Sequence, residues 1–271
     1  MGVLDRAFGM SARRLRRRMQ KELIPTAELV SQLKKYYFPY WAQRLVHVLP
    51  LPRKFKRAFW ELFHGDLICF HSLRRHGFFQ IWTKELVGGL AAHIRERLAP
   101  LDSIIEVGGG NGLLTQNLRQ LGLDVVAVDA RLGEWKFLKR IPRWVKRMCF
   151  REALVEYRPR MVISSWMPPR QDWTPIFRAC PSVQTYILIG EPTDEEQIDG
   201  AGARATWKEC PGWKREVLDE LTPYSYFYAD FERHQRRAGR KSIVVAYTRE
   251  GAVSNAPITL KDLPPIRESV F

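Results

Sequence analysis

The sequence contains few residues suited to disulfide frameworks or metal centres. Its four cysteines stand at least 30 residues apart and form no CxxC pair, which argues against a zinc ribbon or a small disulfide scaffold. None of the six histidines belongs to an HExxH or similar ligand spacing, so we predict no metal site. GxSxG, P-loop and Cys–His nucleophile patterns are also missing. These absences exclude the enzyme classes that those motifs define.

Long apolar runs are missing too. No stretch approaches the roughly 18 consecutive apolar residues of a membrane-spanning helix. The N-terminus lacks the apolar core, roughly 7–15 residues long, of a secretory signal. Unpaired cysteines are by default the reduced thiols of a cytosolic protein. We therefore predict a cytoplasmic protein without a transmembrane segment.

Acidic residues are scarce near the N-terminus. The first 60 residues hold 14 Lys and Arg but 3 Asp and Glu, which gives them a net charge of +11 out of +15 for the chain. We expect residues 1–78 to form a basic helical extension, which favours nucleic acid or an anionic membrane surface as a partner. A merely solvated basic surface is the alternative. A second basic segment, 136–151, has the same two interpretations, because its seven basic residues are accompanied by no acid.

After residue 78, helical and strand patterns alternate. Aliphatic residues spaced four apart predict a helix at 83–98. Strands are predicted at 104–107, 125–128, 145–150, 161–165, 186–189, 224–228 and 242–247. Continuous apolar runs separated by helices indicate an α/β fold with a doubly wound, mostly parallel, seven-stranded Rossmann-like sheet. The last two strands are close enough in sequence to pair antiparallel. We expect this domain over 79–250 and an extended tail over 251–271.

The strongest motif is the segment IIEVGGGNGLL at 104–114, which joins a predicted strand to a predicted helix. Glycines at such a turn let the backbone approach a ligand and direct free N–H groups toward it. The spacing is E-x-G-x-G-x-G from Glu106 to Gly112, whereas a dinucleotide fingerprint requires glycine in place of Leu113. Asp129 ends the next strand, where an acid is placed to accept hydrogen bonds from ribose hydroxyls.

This pattern resembles motif I of the class I S-adenosylmethionine-dependent methyltransferases, and the similarity in element spacing extends from about 83 to 248. The resemblance implies S-adenosyl-L-methionine as the cofactor and direct in-line transfer of its methyl group to an unidentified acceptor, which is a small molecule, an RNA or a protein. It implies that Glu106 faces the methionine amino group and that Asp129 holds the ribose hydroxyls. The cofactor-binding residues it implies are Glu106, Gly108, Gly109, Gly110, Gly112, Asp129, Cys149, Phe150 and Ser165.

Two positions depart from the family pattern. Cys149 and Phe150 stand at the expected end of the third strand, beside the adenine, where the family often has an acid and where cysteine is a poor acceptor. After the fourth strand, the residues 167–170 (MPPR) lack the polar and aromatic groups of members that methylate amino groups. Methylation of an exocyclic base amine is therefore not supported. These departures keep open a nucleic-acid-binding protein with a non-catalytic Rossmann scaffold, and an NAD-linked oxidoreductase is a further alternative.

Trp166 and Glu191 are the candidate catalytic residues. Trp166 follows the fourth strand, where its ring can offer a π face to a cationic methyl group or a planar acceptor. Glu191 follows the fifth strand, at the edge where open α/β sheets bind ligands, and it can orient the acceptor or serve as a general base. Packing for Trp166, and a capping or ion-pair role for Glu191, are the alternatives. The loop 192–213 is a candidate lid.

Overall fold

The computed structural model describes residues 80–130, 143–192, 200–227 and 242–268. The basic extension predicted at 1–78 lies outside these residues, as does 136–142 of the second basic segment. The chain divides into two compact units, 1–84 with 226–240 and 85–225 with 241–271, and nearly all described residues belong to the second. None of the helices among the described residues is long and apolar enough to cross a membrane.

A seven-stranded mixed sheet forms the centre of the second unit. Its strands are β2 (Ile104–Val107), β3 (Val125–Val128), β4 (Val145–Lys146), β5 (Met161–Ser165), β7 (Thr185–Gly190), β8 (Trp213–Val217) and β10 (Ile243–Arg249). The strand order is β4-β3-β2-β5-β7-β10-β8. The first five strands in that order are parallel, and β10 runs antiparallel to both of its neighbours. The predicted mostly parallel, seven-stranded sheet is confirmed.

Helices cover both faces of this sheet. The α-helices of the described residues are α1 (Lys84–Arg97), α2 (Leu113–Gln120), α3 (Phe150–Tyr157) and α4 (Thr174–Ala179). Successive side chains of a strand point to opposite faces. In β2, Ile105 packs in one core with Phe150 of α3 and Phe177 of α4, whereas Glu106 binds the first turn of α2. The doubly wound arrangement is therefore confirmed.

The strand order reverses beside β2. Within the sheet, the chain continues from β2 to β3 and β4 on one side of β2, and then to β5 and β7 on the other side of β2. Ligands of open α/β sheets bind in the crevice at this switch point, outside the carboxyl ends of the strands. The glycine motif follows β2 and Trp166 follows β5, so the fold places both candidate segments at this crevice.

One predicted strand pairing is wrong. The strands predicted at 224–228 and 242–247 do not form a hairpin, because β10 pairs with β7 and β8. The shorter strand β9 (Ser225–Phe227) pairs instead with β1 (Gln80–Trp82). The sequence of β8 is WKREV, with three charged residues in a row, and β8 is an edge strand of the sheet. Edge strands tolerate and often carry charged side chains, so no apolar run marked β8 in the sequence.

Candidate cofactor and acceptor site

The turn between β2 and α2 holds three glycines in the left-handed region. The φ angles of Gly108, Gly110 and Gly112 are 66°, 52° and 66°, which other residues adopt rarely. A Cβ at Gly112 would lie 2.4 Å from Cγ2 of Val145, so this glycine permits close packing. A Cβ at Gly110 would meet nothing within 4 Å. Gly110 therefore borders open space from which a ligand can approach the backbone.

Asp129 lies against this turn. It follows β3, it is buried, and its carboxylate accepts a hydrogen bond from the Gly110 N–H at 2.9 Å. The N–H of Gly109 donates to the carbonyl oxygen of Val128 at 3.1 Å. These two bonds fix the turn to the end of β3, so the structure brings together the acid and the glycines of the sequence motif.

Glu106 lies beneath the turn and is fully buried. Its Oε2 accepts hydrogen bonds from the backbone N–H of Thr115 at 3.0 Å and from the Thr115 hydroxyl at 2.5 Å. Burial and, to a smaller extent, the nearby charge of Asp129 raise the pKa of Glu106 to about 7, against the lowering effect of the two Thr115 bonds. One carboxylate oxygen thus joins β2 to the first turn of α2. We call residues 106–112 together with Asp129 the cofactor turn.

Two tryptophans flank the cofactor turn. The indole N–H of Trp144 donates to the carbonyl oxygen of Gly112 at 3.3 Å. On the other side, a Cβ at Gly108 would lie 3.4 Å from Cζ3 and Cη2 of Trp173. The ring of Trp173 in turn stacks on Phe150, with 4.6 Å between ring centroids. Aromatic side chains therefore limit the space at both ends of the turn.

Trp166 holds a strained backbone conformation at the end of β5. Its φ angle is 54°, an outlier for a bulky residue, and its N–H donates to the carbonyl oxygen of Ile189 at 2.8 Å. Strain of this kind costs about 1–3 kcal/mol and concentrates at functional sites. Next to it, Ser164 is 2% exposed, and its hydroxyl has no hydrogen-bond partner within the described part of the chain. Ser165 is half-buried.

Backbone hydrogen bonds attach a distant segment to the loop that follows β5. The N–H of Gly202 donates to the carbonyl oxygen of Met167, and the N–H of Arg170 donates to the carbonyl oxygen of Gly202, both at 2.9 Å. The N–H of Ala203 donates to the carbonyl oxygen of Gln171, also at 2.9 Å. Residues 200–207 therefore form one continuous wall with 164–172, and we call these two segments the acceptor wall.

A buried carboxylate holds the two segments of the acceptor wall together. Oδ1 of Asp172 accepts hydrogen bonds from the backbone N–H and the hydroxyl of Thr174, at 3.1 and 2.7 Å. The same oxygen accepts from the hydroxyl of Thr206 at 3.1 Å. Asp172, Thr174 and Thr206 are all buried. Thr206 belongs to the segment 200–207, so one oxygen atom links both parts of the wall.

Glu191 lies directly after β7 and is buried. Its carbonyl oxygen accepts a hydrogen bond from the N–H of Ala201 at 2.8 Å. Within the candidate lid at 192–213, residues 193–199 lie outside the described residues. The following residues, 200–207, are fixed by the hydrogen bonds of the acceptor wall. This part of the candidate lid therefore belongs to the acceptor wall.

No protein-family model matches the sequence, and no curated protein matches it. One similar solved structure is the 23S rRNA methyltransferase ErmE, with 17% identity over 64% of this chain and 70% of that chain and a TM-score of 0.37. A dimethyladenosine transferase from Plasmodium falciparum has 14% identity over 59% of this chain and 60% of that chain, with a TM-score of 0.33. A SAM-dependent methyltransferase from Agrobacterium tumefaciens has 13% identity over 61% of this chain and 61% of that chain, also with a TM-score of 0.33. The matched region thus spans less than two thirds of the second and third proteins.

The strand order, the cofactor turn and its acid agree with what the glycine motif predicts. The chain resembles the class I S-adenosylmethionine-dependent methyltransferases. The structure changes the end of one predicted strand. The sequence predicted that Cys149 and Phe150 stand at the end of the third strand. β4 ends at Lys146 instead, so this prediction is wrong. Cys149 precedes α3, and its N–H donates to the Glu152 carboxylate at 3.0 Å. Helix capping by Glu152 therefore ends the extended run that the apolar residues suggested.

Trp173 was not predicted as a residue of the candidate site. Its backbone N–H donates to Sδ of Met167 at 3.4 Å, on the side of the acceptor wall. Its ring edge faces Gly108 of the cofactor turn. The available signal was an aromatic residue shortly after the fourth strand. It does not have the spacing of the family motif, and only the turn of the chain at β6 (Gln171–Asp172) brings it back to the glycines.

Proposed function

We propose that this protein is an S-adenosylmethionine-dependent methyltransferase whose cofactor binds at the cofactor turn. The observation that carries the proposal is the left-handed turn at Gly110, which is bonded to Asp129 and borders open space. A side-chain-free backbone at the start of a helix, beside a carboxylate at the end of the next strand, is suited to a ligand with a polar chain and a ribose.

The residues of the turn have distinct tasks in this proposal. Gly108, Gly109, Gly110 and Gly112 form the floor under the methionine and the ribose. Asp129 accepts hydrogen bonds from the ribose hydroxyls while it holds the Gly110 N–H. Glu106 lies beneath the floor and faces the amino group of the methionine part of the cofactor. Its bonds to Thr115 fix the start of α2. Ser165, Cys149 and Phe150 border the remaining parts of the cofactor.

The acceptor wall positions the methyl acceptor for the reaction. The cofactor contributes an electrophilic methyl group on a sulfonium, so the main requirement on the protein is alignment of the acceptor atom in line with that methyl group. Trp166 shapes the acceptor site with its ring, and its fixed backbone sets the direction of that ring. Glu191 orients the acceptor or receives its proton. The class of acceptor follows from neither residue alone.

Calorimetry with S-adenosylmethionine and S-adenosylhomocysteine tests the proposal. We expect binding by the wild type and none by Gly110→Arg, because the arginine side chain would occupy the open space above the turn. Gly122→Arg is the matched control: the φ of Gly122 is 84°, and a Cβ there also meets nothing within 4 Å. It therefore carries a similar backbone penalty at the opposite end of α2. Wild-type protein that does not bind, or equal binding by both variants, contradicts the proposal.

A second measurement separates catalysis from binding. Protein incubated with cofactor carrying a labelled methyl group is mixed with fractions of a cell extract, and each fraction is assayed for label. We expect one chemical class of fraction to gain label with wild-type protein and not with Gly110→Arg. Binding of the cofactor without transfer to any fraction would support the non-catalytic scaffold instead.

A further inference from the structure

Two aromatic side chains lie behind the cofactor turn, and the C-terminal segment 258–268 contacts the residues next to each of them in sequence. This pair consists of Phe150, the first residue of α3, and Trp173, the residue after β6. Both rings are buried, and the edge of the Trp173 ring faces Gly108. Whatever holds α3 and β6 in place therefore sets the position of this ring against the cofactor turn.

On one side of the pair, Arg151 grips the segment. Its guanidinium donates to the carbonyl oxygens of Leu260 at 3.0 Å, Leu263 at 2.9 Å, and Pro264. Arg151 directly follows Phe150 in α3. Arg151, a basic residue of the second basic segment, thus donates to three backbone carbonyls. The side chain of Leu263 is buried in the same core as the aromatic pair.

On the other side of the pair, the segment adds a strand. β11 (Arg267–Glu268) pairs antiparallel with β6, with Arg267 opposite Asp172 and Glu268 opposite Gln171. Gln171 also accepts a hydrogen bond from the indole N–H of Trp173 at 2.9 Å, through its side-chain oxygen. The segment therefore reaches Trp173 through β6 and Phe150 through Arg151.

We propose that Trp173 forms one wall of the cofactor cleft, and that the segment 258–268 holds this wall in place through Arg151 and through the pairing of β11 with β6. Arg151 is a positioning residue, which acts on the cofactor through the aromatic pair. The inference rests on the proposed cofactor site. It adds a part of the chain, more than 100 residues away in sequence, on which cofactor affinity depends.

The chain offers a matched control for Arg151. The guanidinium of Arg249, at the end of β10, also donates to three carbonyl oxygens: those of Val183, Arg178 and Cys180, at 2.9, 2.9 and 3.0 Å. Its neighbour Thr248 pairs with Thr185, the first residue of β7. Arg249 therefore lies at the amino edge of the parallel strands, opposite the ligand-binding edge. Loss of either arginine removes three bonds to carbonyl oxygens, and loss of Arg249 also removes its contact with the Trp213 ring, whose centroid is 4.5 Å away. Only Arg151 adjoins the aromatic pair.

The test compares Arg151→Ala with Arg249→Ala in the full chain. We measure the Kd of S-adenosylmethionine by calorimetry, the thermal unfolding midpoint, and hydrogen exchange of amides 258–268. We expect both variants to unfold at lower temperature. Arg151→Ala alone should speed exchange in the segment and raise the Kd about tenfold, the lower end of the effect measured for groups that position the ligands of metal sites. Equal Kd values for the two variants would overturn the proposal.

Trp173 provides a second pair of variants in case Arg151→Ala does not fold. Trp173→Phe keeps a shorter aromatic ring beside Phe150 and loses the bond to Gln171, whereas Trp173→Leu removes the ring. We expect Trp173→Leu to bind the cofactor about tenfold more weakly than the wild type, and Trp173→Phe to bind it more tightly than Trp173→Leu. Equal binding by these variants overturns the inference and leaves the proposed function standing. Wild-type protein that binds no cofactor overturns both.

Discussion

The cofactor turn and the acceptor wall lie side by side at the ligand edge of the sheet but are built in different ways. The cofactor turn consists of residues 106–112 and one acid, and its defining bonds are made by backbone N–H groups. The acceptor wall joins residues 164–172 to 200–207 through backbone bonds and through the Asp172 carboxylate. A short motif can specify the first region. The second depends on contacts between residues far apart in sequence, so it is free to vary with the acceptor.

The largest expected effect that separates the two regions is at Trp166. Trp166→Gly removes the ring and also relieves the strain of a φ angle of 54°, so the lost packing and the relieved strain partly offset each other in stability. We expect methyl transfer to the labelled fraction to fall about 100-fold, because the acceptor loses its alignment. The Kd of the cofactor should stay close to that of the wild type. If the Kd of the cofactor rose as well, Trp166 would belong to the cofactor site, and the contrast between the two regions would fail.

Glu106, in the cofactor turn, makes the free energy of unfolding depend on pH. Its pKa is about 7 in the folded protein and 4.5 ordinarily, so between these values the folded chain keeps a proton that the unfolded chain has released. Unfolding then releases a proton, and the free energy of unfolding falls as pH rises from 4.5 to 7, by about 3 kcal/mol in all. Below pH 4.5 this contribution is fully present.

Glu106→Gln tests this dependence. Glutamine can still accept from Thr115 but does not titrate, so urea unfolding at several pH values should show a flatter pH dependence in the variant than in the wild type. The comparison is made without cofactor, since cofactor binding would add its own stabilisation. A difference between the two proteins that does not change between pH 4.5 and 7 would contradict the prediction.

The same contrast explains how much of the molecule the sequence could predict. The strands at 104–107, 125–128 and 161–165 and the helix at 83–98 were confirmed to within a residue, because buried parallel strands and amphipathic helices leave clear apolar patterns. Gly110 and Asp129 lie in contact because the parallel strands that precede them end at the same edge of the sheet. β8 was missed because edge strands carry charges, and Trp173 was missed because long-range pairing at β6 determines its position.

A smaller effect is expected for the bond that joins the two parts of the acceptor wall. Thr206→Val removes the hydroxyl that donates to Asp172 and keeps the shape of the side chain. The carboxylate retains both bonds from Thr174, so we expect a loss of about 1 kcal/mol in the free energy of unfolding. Amides 200–207 should exchange faster, methyl transfer should fall severalfold, and the cofactor Kd should not change. Unaltered exchange in 200–207 would show that the backbone bonds alone hold the wall.

The smallest expected difference distinguishes ligand contact from backbone strain. Gly110→Ala and Gly122→Ala each place a methyl group at a left-handed position with open space around it, so each should lower the free energy of unfolding by about 1 kcal/mol. Only the methyl group at Gly110 would stand between the turn and the cofactor. We therefore expect matching urea midpoints for the two variants but a weaker Kd for Gly110→Ala alone. If both variants weakened binding equally, the conformation of α2 and not the surface of the turn would control affinity.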